Sequence, residues 1–239
     1  EAKGKTQVAD FELVGYVLSK CATIDEVKKA IKEIQIVSID PRSSTVHWRF
    51  AQKDGKQIVL EMIDGRAVFY DNTVGVLTNS PSFDFHVLNL NNYVNLHPGR
   101  AEANTIRNLS LNSFSGNTSM LGLPGDYSST SRFVRAAFMA NTAPVKENSE
   151  LTVFQAFHIL NNFDIPIGLQ FSEGQDIVDI PSATHVTIAS DLSSHRLYYR
   201  TMHNCEIRCI DLNKVNFKKT GYIVKPLDKI KTETVNYLF

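Results

Sequence analysis

Neither sign of charge is in excess in this chain. Lys+Arg and Asp+Glu are both 25, for a formal net charge of +0. A nucleic-acid reader would carry a basic stripe and a disordered acidic tail a run of carboxylates, and neither is present. No apolar run reaches the ~20 residues of a membrane-spanning helix, and the start, Glu1-Ala2-Lys3-Gly4-Lys5, has no apolar core of a signal peptide. A soluble, cytoplasmic protein is expected, with a periplasmic or secreted one as the alternative. Cysteine is scarce: Cys21, Cys205 and Cys209 are an odd set, at spacings that make neither a disulfide framework nor a zinc site. Cys205 and Cys209, four apart in an alternating stretch, are expected as core thiols on one strand face. Also missing are a phosphate loop, a dinucleotide fingerprint and a Gly-x-Ser-x-Gly elbow. The histidines (His47, His86, His97, His158, His185, His195 and His203) are scattered, without an i,i+4 pair suited to a metal. No metal or cofactor is expected.

What is present reads as helices and strands in separate runs. Asp10 is placed to cap a helix over Phe11–Lys20, with Phe11, Val14, Val17 and Leu18 on its apolar face. Thr23 with Glu26 three residues on is a capping box, opening a second helix whose apolar face is Ile24, Val27, Ala30, Ile31 and Ile34. From there the period drops to two. Strands are expected at Ile34–Ile39, Val46–Ala51, Ile58–Ile63 and Ala67–Tyr70, the last leading into Val74–Leu77, with turns at Lys53–Lys56 and Asp64-Gly65. Short strands joined by such turns indicate an antiparallel meander, not a parallel sheet. Helices are expected at Phe83–Tyr93, Ser128–Ala140 and Leu151–Phe163, and strands at Val186–Ala189, Leu197–Met202 and Cys205–Leu212, with Asn95–Gly125 a long aperiodic polar stretch. The expected fold class is α+β, with 1–239 as one domain.

Three features carry candidate chemistry. The run Val74–Leu77 halts at Thr78-Asn79-Ser80-Pro81, so an asparagine side chain stands where a strand is expected to end and a proline prevents its continuation. Taken alone, Asn79 is an ordinary turn-closing residue. Arg132 and Arg135 follow the Gly122-Leu123-Pro124-Gly125-Asp126 loop on a helix, three apart and facing similar sides. They are either solvated helix charges or a pair of which one reaches a buried site. Cys21 sits among apolar residues with no histidine beside it in sequence, which favours a structural thiol over a nucleophile.

Several motifs in fixed order resemble the choloylglycine hydrolase family, which holds bile salt hydrolases and penicillin V acylases. They are Val76-Leu77-Thr78-Asn79-Ser80-Pro81, Asn89-Leu90-Asn91-Asn92-Tyr93, Gly122 to Ser129, Ser131-Arg132-Phe133-Val134-Arg135-Ala136-Ala137-Phe138, Phe157-His158-Ile159-Leu160 and Leu197 to Thr201. The resemblance implies an N-terminal nucleophile hydrolase with an αββα sandwich, here incomplete, acting on linear amides. It implies that Asn79 helps hold the oxyanion and that Arg132 is the active-site arginine, while Arg135 is structural. It also implies that Ile39, Asp40 and Pro41 border the substrate, and that the stretch from Asn95 to Gly122 joins subunits of a homotetramer.

In that family an N-terminal cysteine attacks the amide with its own α-amine as base. This chain starts with Glu1, and Cys21 does not match the nucleophile. The expected partners are therefore a small-molecule amide, an N-terminal segment bearing the nucleophile, and further copies of the chain, without nucleic acid or membrane. On this reading the chain alone is inactive. The alternative is a non-catalytic ligand-binding or assembly remnant of the same fold.

Overall fold

In the computed structural model, which describes residues 4–39, 46–169, 172–175, 183–219, 221, 223–232 and 235–239, the chain divides into two units, Glu1–Thr142 and Ala143–Phe239. Both combine helices with sheets, so the fold class is α+β.

The first unit enters through β1 (Thr6–Ala9) and a 3-10 turn at Asp10–Glu12. It continues through α1 (Leu13–Lys20) and α2 (Ile24–Glu33) into β2 (Ile34–Val37). β2 pairs with β1 in parallel, Thr6 opposite Ile34, so the strand expected at Ile34–Ile39 stands outside the antiparallel meander. Parallel neighbours need a long crossover, and the two helices supply it. The capping box forms as read: Glu26 N donates to Thr23 Oγ1 (3.2 Å) and Thr23 N to Glu26 Oε2 (3.0 Å). The phase of α1 differs from expectation. Leu13 and Val17 are buried, whereas Phe11, Val14 and Leu18 are exposed. A 3-10 turn takes three residues per turn instead of 3.6, so a stripe read through from Phe11 does not carry into α1. Asp10 opens that turn and accepts from Phe11 N (2.9 Å), and it does not cap α1.

β3 (Trp48–Ala51), β4 (Gln57–Ile63) and β5 (Arg66–Asp71) form the expected antiparallel meander. Asp64 (φ 50°) and Gly65 (φ 73°) both take the left-handed conformation, as a two-residue hairpin turn of this twist requires. The central strand β4 feeds two cores. Ile58 and Leu60 join Val8, Leu13, Val17, Ile24 and Ile31, while Val59 joins Val76, Phe83, Phe133 and Ala137. Alternate side chains of a strand point to opposite faces, so a strand buried on both sides reads as an unbroken apolar run.

Val74–Leu77 is not a strand. Gly75 has φ 78°, and the buried Asn72 takes the backbone groups that a partner strand would otherwise pair. Its Nδ2 donates to Val76 O (3.1 Å) and its Oδ1 accepts from Gly75 N (2.8 Å). After this loop come α3 (Phe83–Asn89) and a 3-10 turn at Leu90–Tyr93. The stretch expected to be aperiodic contains a small hairpin, β6 (Asn104–Ile106) with β7 (Leu109–Leu111). Strands of three residues are too short to show a period. The unit closes on α4 (Ser129–Thr142).

The second unit holds α5 (Ser149–Leu160), capped by Asn148 Oδ1 on Leu151 N (2.9 Å), and the antiparallel sheet β8 (Val186–Asp191), β9 (Arg196–Thr201) and β10 (Asn204–Asp211). Cys205 and Cys209 are exposed and are not core thiols. A bulge lies between Asn204 and Arg208, so Cys205 falls outside the alternation that would place it with Cys209. His158 is solvent-exposed on α5. Among the described residues no helix is long and apolar enough to cross a membrane.

These two kinds of support differ in size. Thr23→Ala should lower the unfolding free energy by about 1 kcal/mol. Phe133→Ala, at a fully buried ring, should lower it by about 3–5 kcal/mol. Urea titration of both variants checks the order, and an equal loss in the two would contradict the burial described.

Candidate functional site

Asn79 and Arg132, 53 residues apart in the chain, meet. Arg132 Nη2 donates to Asn79 Oδ1 at 2.7 Å, and Arg132 Nε donates to Tyr127 O at 3.0 Å. A guanidinium has only donors, so the amide oxygen must face it. The Asn79 NH2 group is then presented on the opposite side as a donor of fixed direction. Burial, and secondarily the charge of Arg135, push the pKa of Arg132 down from its usual value. The group stays cationic even so.

Arg135 turns inward instead. It is buried, and its Nη1 donates to Pro124 O (2.8 Å) and Asp126 O (2.6 Å), which fixes the Gly-Leu-Pro-Gly-Asp loop against α4. Asp126 secures the same junction from the other end. Its Oδ1 accepts from Ser128 N (2.9 Å) and its Oδ2 from Ser131 Oγ (2.5 Å). The Ser128 and Ser131 side chains, with the Ser128 N–H, hold its carboxyl well below the usual carboxylate range.

The loop carrying Asn79 is laced to the first turn of α4 and to α3. Thr78 Oγ1 donates to Ser129 O (3.1 Å), and Ser129 Oγ donates to Ser80 O. His86, buried on α3, places Nε2 2.8 Å from Asn79 O and 3.3 Å from Thr78 Oγ1. Its ring stacks on Phe133, with centroids 4.7 Å apart and planes 9° from parallel. Glu61 on β4 holds the start of α3. Its buried Oε1 accepts from Phe83 N (2.8 Å) and makes a short bond with His47 Nδ1. Among the described residues its Oε2 has no hydrogen-bond partner.

Sequence reasoning missed Asn72, His86, Glu61 and His47. One signal existed: a lone Glu inside the apolar run of β4 is expensive to bury and implies a partner.

Of the other expected site residues, Ile39 lies just beyond β2 and is 64% exposed. No hydrogen bond among the described residues joins it to the Asn79–Arg132 pair. Asp40 and Pro41 lie outside the described residues. Cys21 follows α1, packs against the first core and donates its N–H to Val17 O (2.8 Å). Burial, then the Glu26 charge, push its thiol up, away from a thiolate. Among the described residues no group of three or more His, Cys, Asp or Glu side chains is arranged to hold a metal.

The model of the linear amide C–N hydrolases, choloylglycine hydrolase family, matches residues 1–225. The bile salt hydrolase/transferase of Clostridium perfringens is 32% identical over 242 residues, covering 100% of this chain and 72% of that protein. The enzyme of the same name from Lactiplantibacillus plantarum is 36% identical over 228 residues, covering 93% of this chain and 68% of that protein. A crystal structure of the C2A mutant of the Clostridium perfringens conjugated bile acid hydrolase superposes with a TM-score of 0.81 at 34% identity. It covers 100% of this chain and 72% of that one.

The Asp126 clasp has a pH signature. Its folded pKa lies below the unfolded value. The stabilisation it gives is therefore complete above about pH 4 and is lost as pH falls from there through the folded pKa. The melting-temperature gap between the parent and Asp126→Asn should hold steady from neutral pH to about pH 5 and close in stronger acid. A gap that widens on acidification would contradict the clasp.

Proposed function

The chain belongs to the choloylglycine hydrolase family of linear amide C–N hydrolases, and from that membership we propose that it hydrolyses the amide of a small acyl conjugate, of the conjugated bile salt or penicillin V kind. The observation that carries this reading is the 2.7 Å bond from Arg132 to Asn79, which fixes the asparagine NH2 as a donor aimed away from the arginine.

In this mechanism the thiol of an N-terminal cysteine attacks the amide carbonyl and its own α-amine takes the proton. The nucleophile and its base thus belong to one residue. A C–S bond forms and the carbonyl oxygen becomes an oxyanion, which accepts from Asn79 Nδ2. Collapse breaks the C–N bond, the amine leaves with the proton, and water hydrolyses the thioester. None of the three cysteines is the N-terminal residue that this mechanism uses, and Cys21 is moreover a packed thiol whose pKa burial raises. In the proposed enzyme the nucleophile is instead the N-terminal cysteine of the family's mechanism. Residues 1–239 are then the larger part of one catalytic domain with the αββα sandwich. The family match running through both units supports this reading.

Ile39, Asp40 and Pro41 would border the acyl group. The exposed apolar side chains of the β6–β7 hairpin, Ile106, Leu109 and Leu111, fit a contact between copies in a homotetramer. The relatives described above favour a conjugated bile salt as the first substrate to try. A cytoplasmic enzyme is proposed.

The test is amine release from conjugated bile salts and from penicillin V by the whole protein. Asn79→Ala should lower kcat about 100- to 1,000-fold, the ~2.7–4 kcal/mol lost with an oxyanion donor, and leave the unfolding midpoint nearly unmoved. Unchanged turnover would return Asn79 to a turn residue. Bile-salt binding without any turnover in the parent would instead support a ligand-binding protein of the same fold.

A further inference from the structure

An oxyanion donor works only when it is held within about 0.5 Å of its productive place. Arg132 sets the rotation of the Asn79 amide at its tip, but Asn79 is exposed on a loop outside any strand. Something must hold its main chain. We propose that His86 is a positioning residue for Asn79, fixing the backbone of the oxyanion donor relative to the helix that carries Arg132.

His86 is 1% exposed, and one imidazole touches both arms of the site. Its Nε2 lies 2.8 Å from Asn79 O, and its ring stacks at 4.7 Å on Phe133, the neighbour of Arg132 on α4. A carbonyl oxygen only accepts, so Nε2 carries the hydrogen. Thr78 gives an independent check of that polarity. Its hydroxyl donates to Ser129 O, which leaves its oxygen free to accept the same Nε2–H at 3.3 Å. Nδ1 is buried and without a hydrogen-bond partner among the described residues, so the ring holds the loop through Nε2. The ring thus shares one N–H between two consecutive residues of the loop, while its face packs on Phe133 of α4. No proton moves in this role. Because His86 acts through Asn79, removing its donor should affect the transition state and not substrate binding.

This inference rests on the oxyanion role proposed for Asn79, and the experiment separates the two. His86→Phe keeps a ring against Phe133 and removes the donor. His86→Gln removes the ring and keeps an N–H at similar reach. In the whole enzyme, His86→Phe should lower kcat about 10- to 100-fold, the scale of a misplaced catalytic group. KM should change less than about threefold in that variant, and His86→Gln should restore kcat to within about threefold of the parent.

The parent itself supplies a readout that needs no variant. The ring 15N shifts of His86 should report a hydrogen on Nε2. An Nδ1–H tautomer would overturn the proposal even if His86→Phe fails to fold. Unchanged kcat in a folded His86→Phe would also overturn it, while a loss in Asn79→Ala would still uphold the oxyanion reading. If Asn79→Ala is itself silent, the oxyanion reading falls and the positioning role falls with it.

Discussion

The hydrogen bond from Arg132 to Asn79 is the constraint on which the rest of the first unit's architecture bears. An amide can turn end for end at little cost in water, so an asparagine on a loop is by itself a donor of no fixed direction. A guanidinium beside it removes one of the two orientations, since it can only donate. For the bond to persist, two segments must be held in one fixed arrangement: the irregular loop 72–82 and the start of α4, which already share a core through Val76, Phe133 and Ala137. Asn72 braces the first from within, Arg135 and Asp126 brace the second, and Thr78, Ser80 and Ser129 tie one to the other. Most of these contacts use backbone carbonyls as acceptors. The loop therefore gains order without a partner strand, and its buried polar groups remain paired.

The two arginines show how a helix divides labour over three residues. Arg132 and Arg135 lie on neighbouring parts of one face, yet only Arg135 is buried. The buried guanidinium is compensated by two carbonyl oxygens of the loop that precedes the helix. That arrangement places a second positive charge behind Arg132, and it is one reason the pKa of Arg132 is pushed down. Mutual repulsion would drive a mobile Arg132 into water. Its bonds to Tyr127 O and Asn79 Oδ1 hold it in place instead.

Local signals were legible in the sequence. The Thr23–Glu26 box, the Asp64-Gly65 turn and the β3–β5 meander each depend on residues a few positions apart, and each occurs where the pattern places it. Features set by distant partners were not. β1 pairs with a strand 28 residues further on, so four residues alone gave no sign of it. Val74–Leu77 has the composition of a strand, and it is Asn72 and the left-handed Gly75 that keep it from being one. The site was half legible. Asn79 and Arg132 emerged only because several motifs occurred together in one order, since neither stands out by chemistry alone. His86 and the Glu61–His47 pair stayed hidden because scattered histidines are uninformative until packing shows which are buried.

In the amidase we propose, the neutral donor has a physical advantage over the cation behind it. A guanidinium placed directly against the substrate would bind the ground-state carbonyl and any carboxylate nearby, and uniform binding of that kind does not accelerate the chemical step. An amide whose oxygen is already bonded to a cation is a polarised donor, because hydrogen bonds in a chain strengthen one another. Part of the Arg132 charge then reaches the oxyanion through Asn79, in a direction set before the reaction begins. Preorganisation of this kind costs no rearrangement when the charge develops. The same logic explains why so much of the surrounding structure serves to hold one side chain still. The gain depends on a donor standing where the oxyanion will be and not where the carbonyl oxygen was.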